Sequence, residues 1–79
     1  MRYAEPNRLR ELRVERFMTQ AQLARRARVS RRRIQEVESG LSCRMSTKYK
    51  LLRALGMGLE RVHEIWPVLL HRYASHRTD

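Results

Sequence analysis

The sequence predicts an all-α fold, a domain of five short helices. Three observations carry that expectation. Apolar residues recur three and four positions apart, helix-starting and helix-stopping residues punctuate those stretches, and no segment keeps the two-residue alternation of a strand over a useful length. With 79 residues there is room for one domain, and its small core leaves a stability margin of about a few kcal/mol. Hydrophobic residues make up 42% of the chain, with only three Gly and two Pro, which favours a packed domain over a disordered arm.

Pro6-Asn7 marks the start of the first helix, about residues 8–16, with Asn7 as N-cap. Leu9 and Leu12, then Phe17 or Met18, supply its buried stripe. Thr19 and Gln22 form a capping box for a second helix over about 20–27, which buries Leu23, Ala24 and Ala27. Arg28-Val29-Ser30 is a tight interruption, and Ser30 caps a third helix, about 31–39, on Ile34 and Val37. Ser39-Gly40 ends it. After a polar loop from Leu41 to Arg44, a fourth helix over about 46–55 turns Met45, Tyr49, Leu52 and Leu55 inward, and Gly56 stops it. Leu59, Val62, Ile65 and Trp66 make a short fifth helix, halted by Pro67. One apolar cluster remains, Val68-Leu69-Leu70 with Tyr73, before a polar end. The expected division is a helical domain over 1–66 and an extension over 67–79.

Charge narrows the function. Eighteen Lys and Arg against eight Asp and Glu give a formal +10 and a pI near 11.4, which points to a polyanionic partner. Only Lys48 and Lys50 are lysines, and arginine suits bidentate contact with phosphate or guanine. From Thr19 to Gln35 there are six Arg and no acid. The first residues lack the apolar stretch of a signal peptide, and no apolar run approaches the ~20 residues that span a bilayer. A single Cys43 fits a reducing cytoplasm. It has no His that the sequence would pair with it. His63, His71 and His76 follow neither zinc-finger nor metalloprotease spacing. No catalytic residue, metal or cofactor is expected.

The stretch TQAQLARRARVSRRRIQEVESG, Thr19 to Gly40, resembles the helix-turn-helix of the Cro/repressor (XRE-like) family. Gln20, Leu23, the small Ala24, Ala27, Val29, Ser30, Ile34, Val37, Glu38 and Gly40 fall in the family's order. Two helices crossing steeply over a short turn need a small residue where backbones meet and apolar residues inside. The flanks NRLRELR (Asn7–Arg13) and KLLRALG (Lys50–Gly56) are also family-like, so the resemblance runs from about Asn7 to Trp66. It implies a compact five-helix, lambda-repressor-like helix-turn-helix domain. Two positions depart from the family pattern. Phe17 and Arg28 stand where the family usually has glycine at positive φ, so either the turns are reshaped or the strain is offset elsewhere.

The resemblance assigns roles by position. On the third helix Arg32, Gln35, Glu36 and Ser39 point outward with Arg31 and Arg33 flanking them, and Arg31, Arg32, Gln35 and Glu36 are the base-reading candidates. Gln20, Arg28, Arg33, Arg44 and Lys48 are the phosphate-contacting candidates. Arg13 and Glu38 form a structural ion pair tying the first helix to the third. Family members usually dimerise on operators with two half-sites, and Trp66, Leu69, Leu70 and Tyr73 are the candidate seam. The competing reading folds the same residues back onto the core. The partner implied is a double-stranded DNA operator, bound by a homodimer acting as repressor or activator in the cytoplasm, with RNA polymerase or a toxin as a further protein partner. An antitoxin on the same fold and a non-specific or RNA-binding basic protein are the alternatives.

Overall fold

A computed structural model describes residues 4–69. The elements are α1 (Leu9–Glu15), α2 (Gln20–Ala27), α3 (Arg31–Glu38), α4 (Met45–Ala54), a 3₁₀ turn (Leu59–Arg61) and α5 (Val62–Ile65). Helical geometry resumes at residues 67–69. Among the described residues the only extended pairing is an isolated bridge between Ala4 and Leu41, and no helix is long and apolar enough to cross a membrane. The all-α expectation holds.

Helix starts follow the local chemistry. The cap position of α1 is Arg8, one residue later than expected and without a side-chain capping bond; Asn7 stands just ahead of it, and its Oδ1 accepts from the Leu9 N–H at 3.0 Å. Its Nδ2 also donates to the Val37 carbonyl at 2.8 Å, tying this start to the end of α3. Thr19 Oγ1 accepts from Gln22 N–H while Gln22 Oε1 accepts from Thr19 N–H, the complete capping box. Ser30 Oγ accepts from the Arg33 N–H at 3.0 Å and so starts α3.

Helix ends share one device. In each of α1 to α4 a residue at positive φ reverses the chain, its N–H bonds three residues back, and the next N–H bonds five residues back. The pairs are Phe17→Val14 with Met18→Arg13, Arg28→Arg25 with Val29→Ala24, Gly40→Val37 with Leu41→Glu36, and Gly56→Arg53 with Met57→Leu52. Phe17 (φ +56°) and Arg28 (φ +59°) therefore adopt the left-handed backbone that Gly40 and Gly56 adopt. The turns keep their shape, and the strain of a bulky side chain is carried rather than avoided.

The core gathers Leu9, Leu12, Met18, Leu23, Ala24, Ala27, Ile34, Val37, Leu51, Leu52, Leu55, Met57, Val62, Ile65, Trp66 and Leu69. Helix α2 packs on both α3 and α4. Several details differ from the sequence reading. Met18 is buried and Phe17 is 95% exposed, because the left-handed residue swings outward at the turn. The inner face of α4 is Lys48, Leu51, Leu52 and Leu55, with Met45 and Tyr49 only partly covered. Leu59 is exposed.

The tail corrects the dimer seam. Trp66 is fully buried and Leu69 nearly so, both in the core cluster, so neither presents a surface to a second copy. Burying Trp66 and Leu69 takes their apolar area out of water and completes the core. The expected boundary after residue 66 cuts through this packing. Leu70 and Tyr73, the other seam candidates, lie outside the described residues.

Candidate nucleic-acid interface

Helix α3 is held from beneath. Ile34 and Val37 are fully buried, and the three- and four-residue spacing that puts them inward leaves Arg31, Arg32 and Gln35 exposed. The Arg32 side chain is 87% exposed, with its Nε 3.7 Å from Glu36 Oε2. Arg33 Nη1 lies 3.8 Å from Glu36 Oε1. Glu36 is half-buried and sits between two guanidinium groups, unlike its exposed neighbour Gln35.

The last residue of α3 fixes the helix in place. The Glu38 side chain is fully buried, as Arg13 nearly is. Its Oε2 accepts from Arg13 Nε at 2.6 Å, and its Oε1 accepts from Arg13 Nη2 at 3.1 Å, Gln20 Nε2 at 3.1 Å and Arg10 Nε at 3.3 Å. Arg13 Nη1 also donates to the Met18 carbonyl at 2.7 Å. One carboxylate thus joins α1, α2 and α3. Burial pushes the Glu38 carboxyl upward, but the hydrogen bonds from Arg13 and Gln20 and the nearby guanidinium charges outweigh it. The group is held below the usual carboxylate range. Arg10 and Gln20 join the expected Arg13–Glu38 pair. Arg10 sits one turn before Arg13 on α1, a spacing visible in the sequence, yet only the fold shows both reaching the same group.

Lys48 does not belong among the phosphate contacts. Its side chain is 3% exposed, and its Nζ lies 2.9 Å from Glu5 Oε1. It donates to the Cys43 carbonyl at 2.5 Å and stands 5.3 Å from the centre of the Trp66 ring. A buried ammonium needs such partners, and Glu5, 43 residues away in sequence, provides the carboxylate. The Glu5 N–H donates to the Gly40 carbonyl at 2.6 Å, and the Ala4–Leu41 bridge flanks it. This arrangement anchors the segment ahead of α1 against the loop after α3. Burial also pushes the Cys43 thiol upward, away from the thiolate a nucleophile requires.

Arg44 is exposed at the start of α4, and Arg28 is exposed at the turn before α3. Both belong to a larger set. Among the described residues, Arg25, Arg26, Arg28, Arg31, Arg44, Lys50 and Arg53 pair with no carboxylate. Four of the acids are engaged elsewhere: Glu11 by Arg8, Glu64 by Arg61, Glu5 by Lys48 and Glu38 by the α1–α2 donors. Unneutralised positive charge is therefore concentrated on the end of α2, the start of α3 and α4.

A capped helix, a left-handed turn and a second capped helix with an exposed arginine-rich face define a helix-turn-helix DNA-binding domain. The helix-turn-helix family profile matches residues 9–62, more than half of the chain. The protein belongs to this Cro/XRE-like family of DNA-binding, transcription-regulator domains. No curated protein and no solved structure matches it.

Proposed function

We propose that the chain binds double-stranded DNA sequence-specifically and regulates transcription by occupying an operator. The observation that carries this reading is the division of α3: a fully buried underside, Ile34 and Val37, beneath an exposed Arg31, Arg32 and Gln35. A helix fixed on one side and open on the other is what entry into a major groove requires. Arg31 and Arg32 pair with guanine O6 and N7, and Gln35 with adenine. Glu36 accepts from cytosine N4 only when guanine draws Arg32, and phosphate draws Arg33, away from it. Gln20, Arg28, Arg33 and Arg44 contact the backbone. Gln20 keeps its Oε1 for bracing while its Nε2 holds Glu38.

The protein works as a homodimer in the cytoplasm, because one domain covers too few base pairs to select an operator. Val68 and Leu59 are the exposed apolar residues at the C-terminal end of the described chain and are where a second copy would meet it. Selection of bound duplexes from a random pool tests the whole reading. A two-fold symmetric motif is expected, and Arg32→Ala should relax preference at one or two base pairs at a cost of about 1–3 kcal/mol. An unaltered motif from Arg32→Ala and Gln35→Ala would remove α3 as the reading element.

A further inference from the structure

Four of the unpaired cations converge on a place that the reading helix does not reach. Arg26, Ala27 and Arg28 at the end of α2 and Lys50 and Arg53 on α4 line an open cleft of about 450 Å³. Each of the four cationic residues is exposed and Ala27 is the buried floor. No acidic residue lines the cleft, and no residue of α3 or of the 41–44 loop does. Cations near a helix C-terminus are favoured by the helix dipole, which accounts for Arg26 and Arg53 taken singly. It does not account for side chains of two helices converging without a counter-charge, where like charges raise the free energy of the unbound protein.

We infer that this cleft is a second phosphate site, holding the backbone of the same duplex that α3 reads. The inference rests on the DNA-binding reading above, shares Arg28 with it, and extends it to Arg26, Lys50 and Arg53, to which the resemblance assigned no role. Three observations favour phosphodiester as the occupant. The guanidinium forks of Arg26, Arg28 and Arg53 suit oxyanions bidentately. Arg28 stands three residues before Arg31, so the cleft adjoins the end of α3 that carries the exposed arginines. The family binds DNA, which makes a duplex the polyanion nearest to hand. Because no residue of α3 lines the cleft, a phosphate here is distinct from those beside the reading helix.

The test uses the full chain, the duplex recovered by selection, and a Lys50→Gln/Arg53→Gln variant. Leu51 and Leu52 remain in place, and circular dichroism checks the fold. Affinity is measured by fluorescence anisotropy over a range of salt concentrations. The logarithmic salt slope should become shallower by about 0.9 for each phosphate lost, with the selected motif unchanged. A control, Arg8→Gln/Arg61→Gln, removes the same net charge at exposed positions outside the cleft and should leave the slope near wild type.

An unchanged slope in the cleft variant overturns the inference. So does an equal change in the control, which would reduce the effect to net charge. So does loss of binding to a polyglutamate peptide with the DNA slope intact, which would assign the cleft to an acidic protein. Base readout fails separately, through an unaltered motif in the Arg32 and Gln35 variants, and that result leaves the salt slope of the cleft variant free to stand.

Discussion

Replacing Phe17 by glycine should stabilise the domain. Phe17 holds φ at +56° to close α1, a backbone that costs an L-residue about 1–2 kcal/mol. Its side chain is 95% exposed, so truncation forfeits almost no packing. Glycine removes the strain but loosens the unfolded chain, which gives back about 0.4–1 kcal/mol. The net gain is about 1 kcal/mol, a rise in Tm of roughly 4–8 °C for a domain of this size. The reciprocal changes isolate the cause. A Cβ at Gly40 or Gly56 meets nothing within 4 Å, so an alanine there costs only conformation, about 1 kcal/mol or more. Gly40, at φ +101°, should suffer more than Gly56 at +74° because it lies further from the left-handed minimum near +57°. Thermal unfolding followed by far-ultraviolet circular dichroism and by the fluorescence of the sole tryptophan, Trp66, reads all of these. The decisive comparison is Phe17→Ala, which keeps the strain and should leave Tm close to wild type. Equal gains from alanine and glycine would show that the benefit came from removing an exposed aromatic, and the turn argument would fail.

Other perturbations probe the charged groups. Glu38→Gln leaves the nearly buried Arg13 without its carboxylate and should cost about 3 kcal/mol or more, read as a lower urea midpoint. Because the folded Glu38 carboxyl lies below its ordinary value of 4.5, its contribution is complete above that pH and is lost as pH falls through the folded pKa. The gap between wild type and Glu38→Gln should therefore narrow on acidification below about 4.5 and stay constant above it. Lys48→Met strands the buried Glu5 carboxylate and should cost about 3–5 kcal/mol, whereas Glu5→Leu/Lys48→Met should recover most of it. Additive costs in that cycle would show that the two residues do not depend on each other. Arg28→Gly should raise Tm as Phe17→Gly does, yet weaken binding to every duplex, with a shallower salt slope.

Elements set by near neighbours were legible in the sequence. The Thr19–Gln22 box, the Ser30 cap and the Ile34/Val37 underside each depend on residues within one or two turns, and each is found where the pattern placed it. Legibility stopped where a distant partner decides. Apolar spacing on α4 allows two stripes, 45/49/52/55 and 48/51/52/55, and the second contains a lysine. Lys48 occupies it because Glu5 and the Trp66 ring meet it there, and neither is close to it in sequence. Trp66 and Leu69 posed the same difficulty: apolar residues near the end of a chain look alike whether they fold back or meet a second copy. At Phe17 and Met18, hydrophobicity could not rank two adjacent apolar residues, and the left-handed turn did.

The two strained turns carry opposite meanings. At both, the chain has taken a bulky residue where glycine would be more stable. Arg28 has a compensating use, because its guanidinium lies with the unneutralised cations of the α2 end and the cleft. A glycine there would gain stability by giving up charge that only a bound polyanion rewards. Phe17 offers no charge and buries almost nothing within its own chain. The strain at Arg28 is thus tied to this unneutralised charge, and on the proposed reading its relief should separate stability from affinity. The strain at Phe17 has no such tie, and its relief should change stability while leaving the salt slope on DNA where it was.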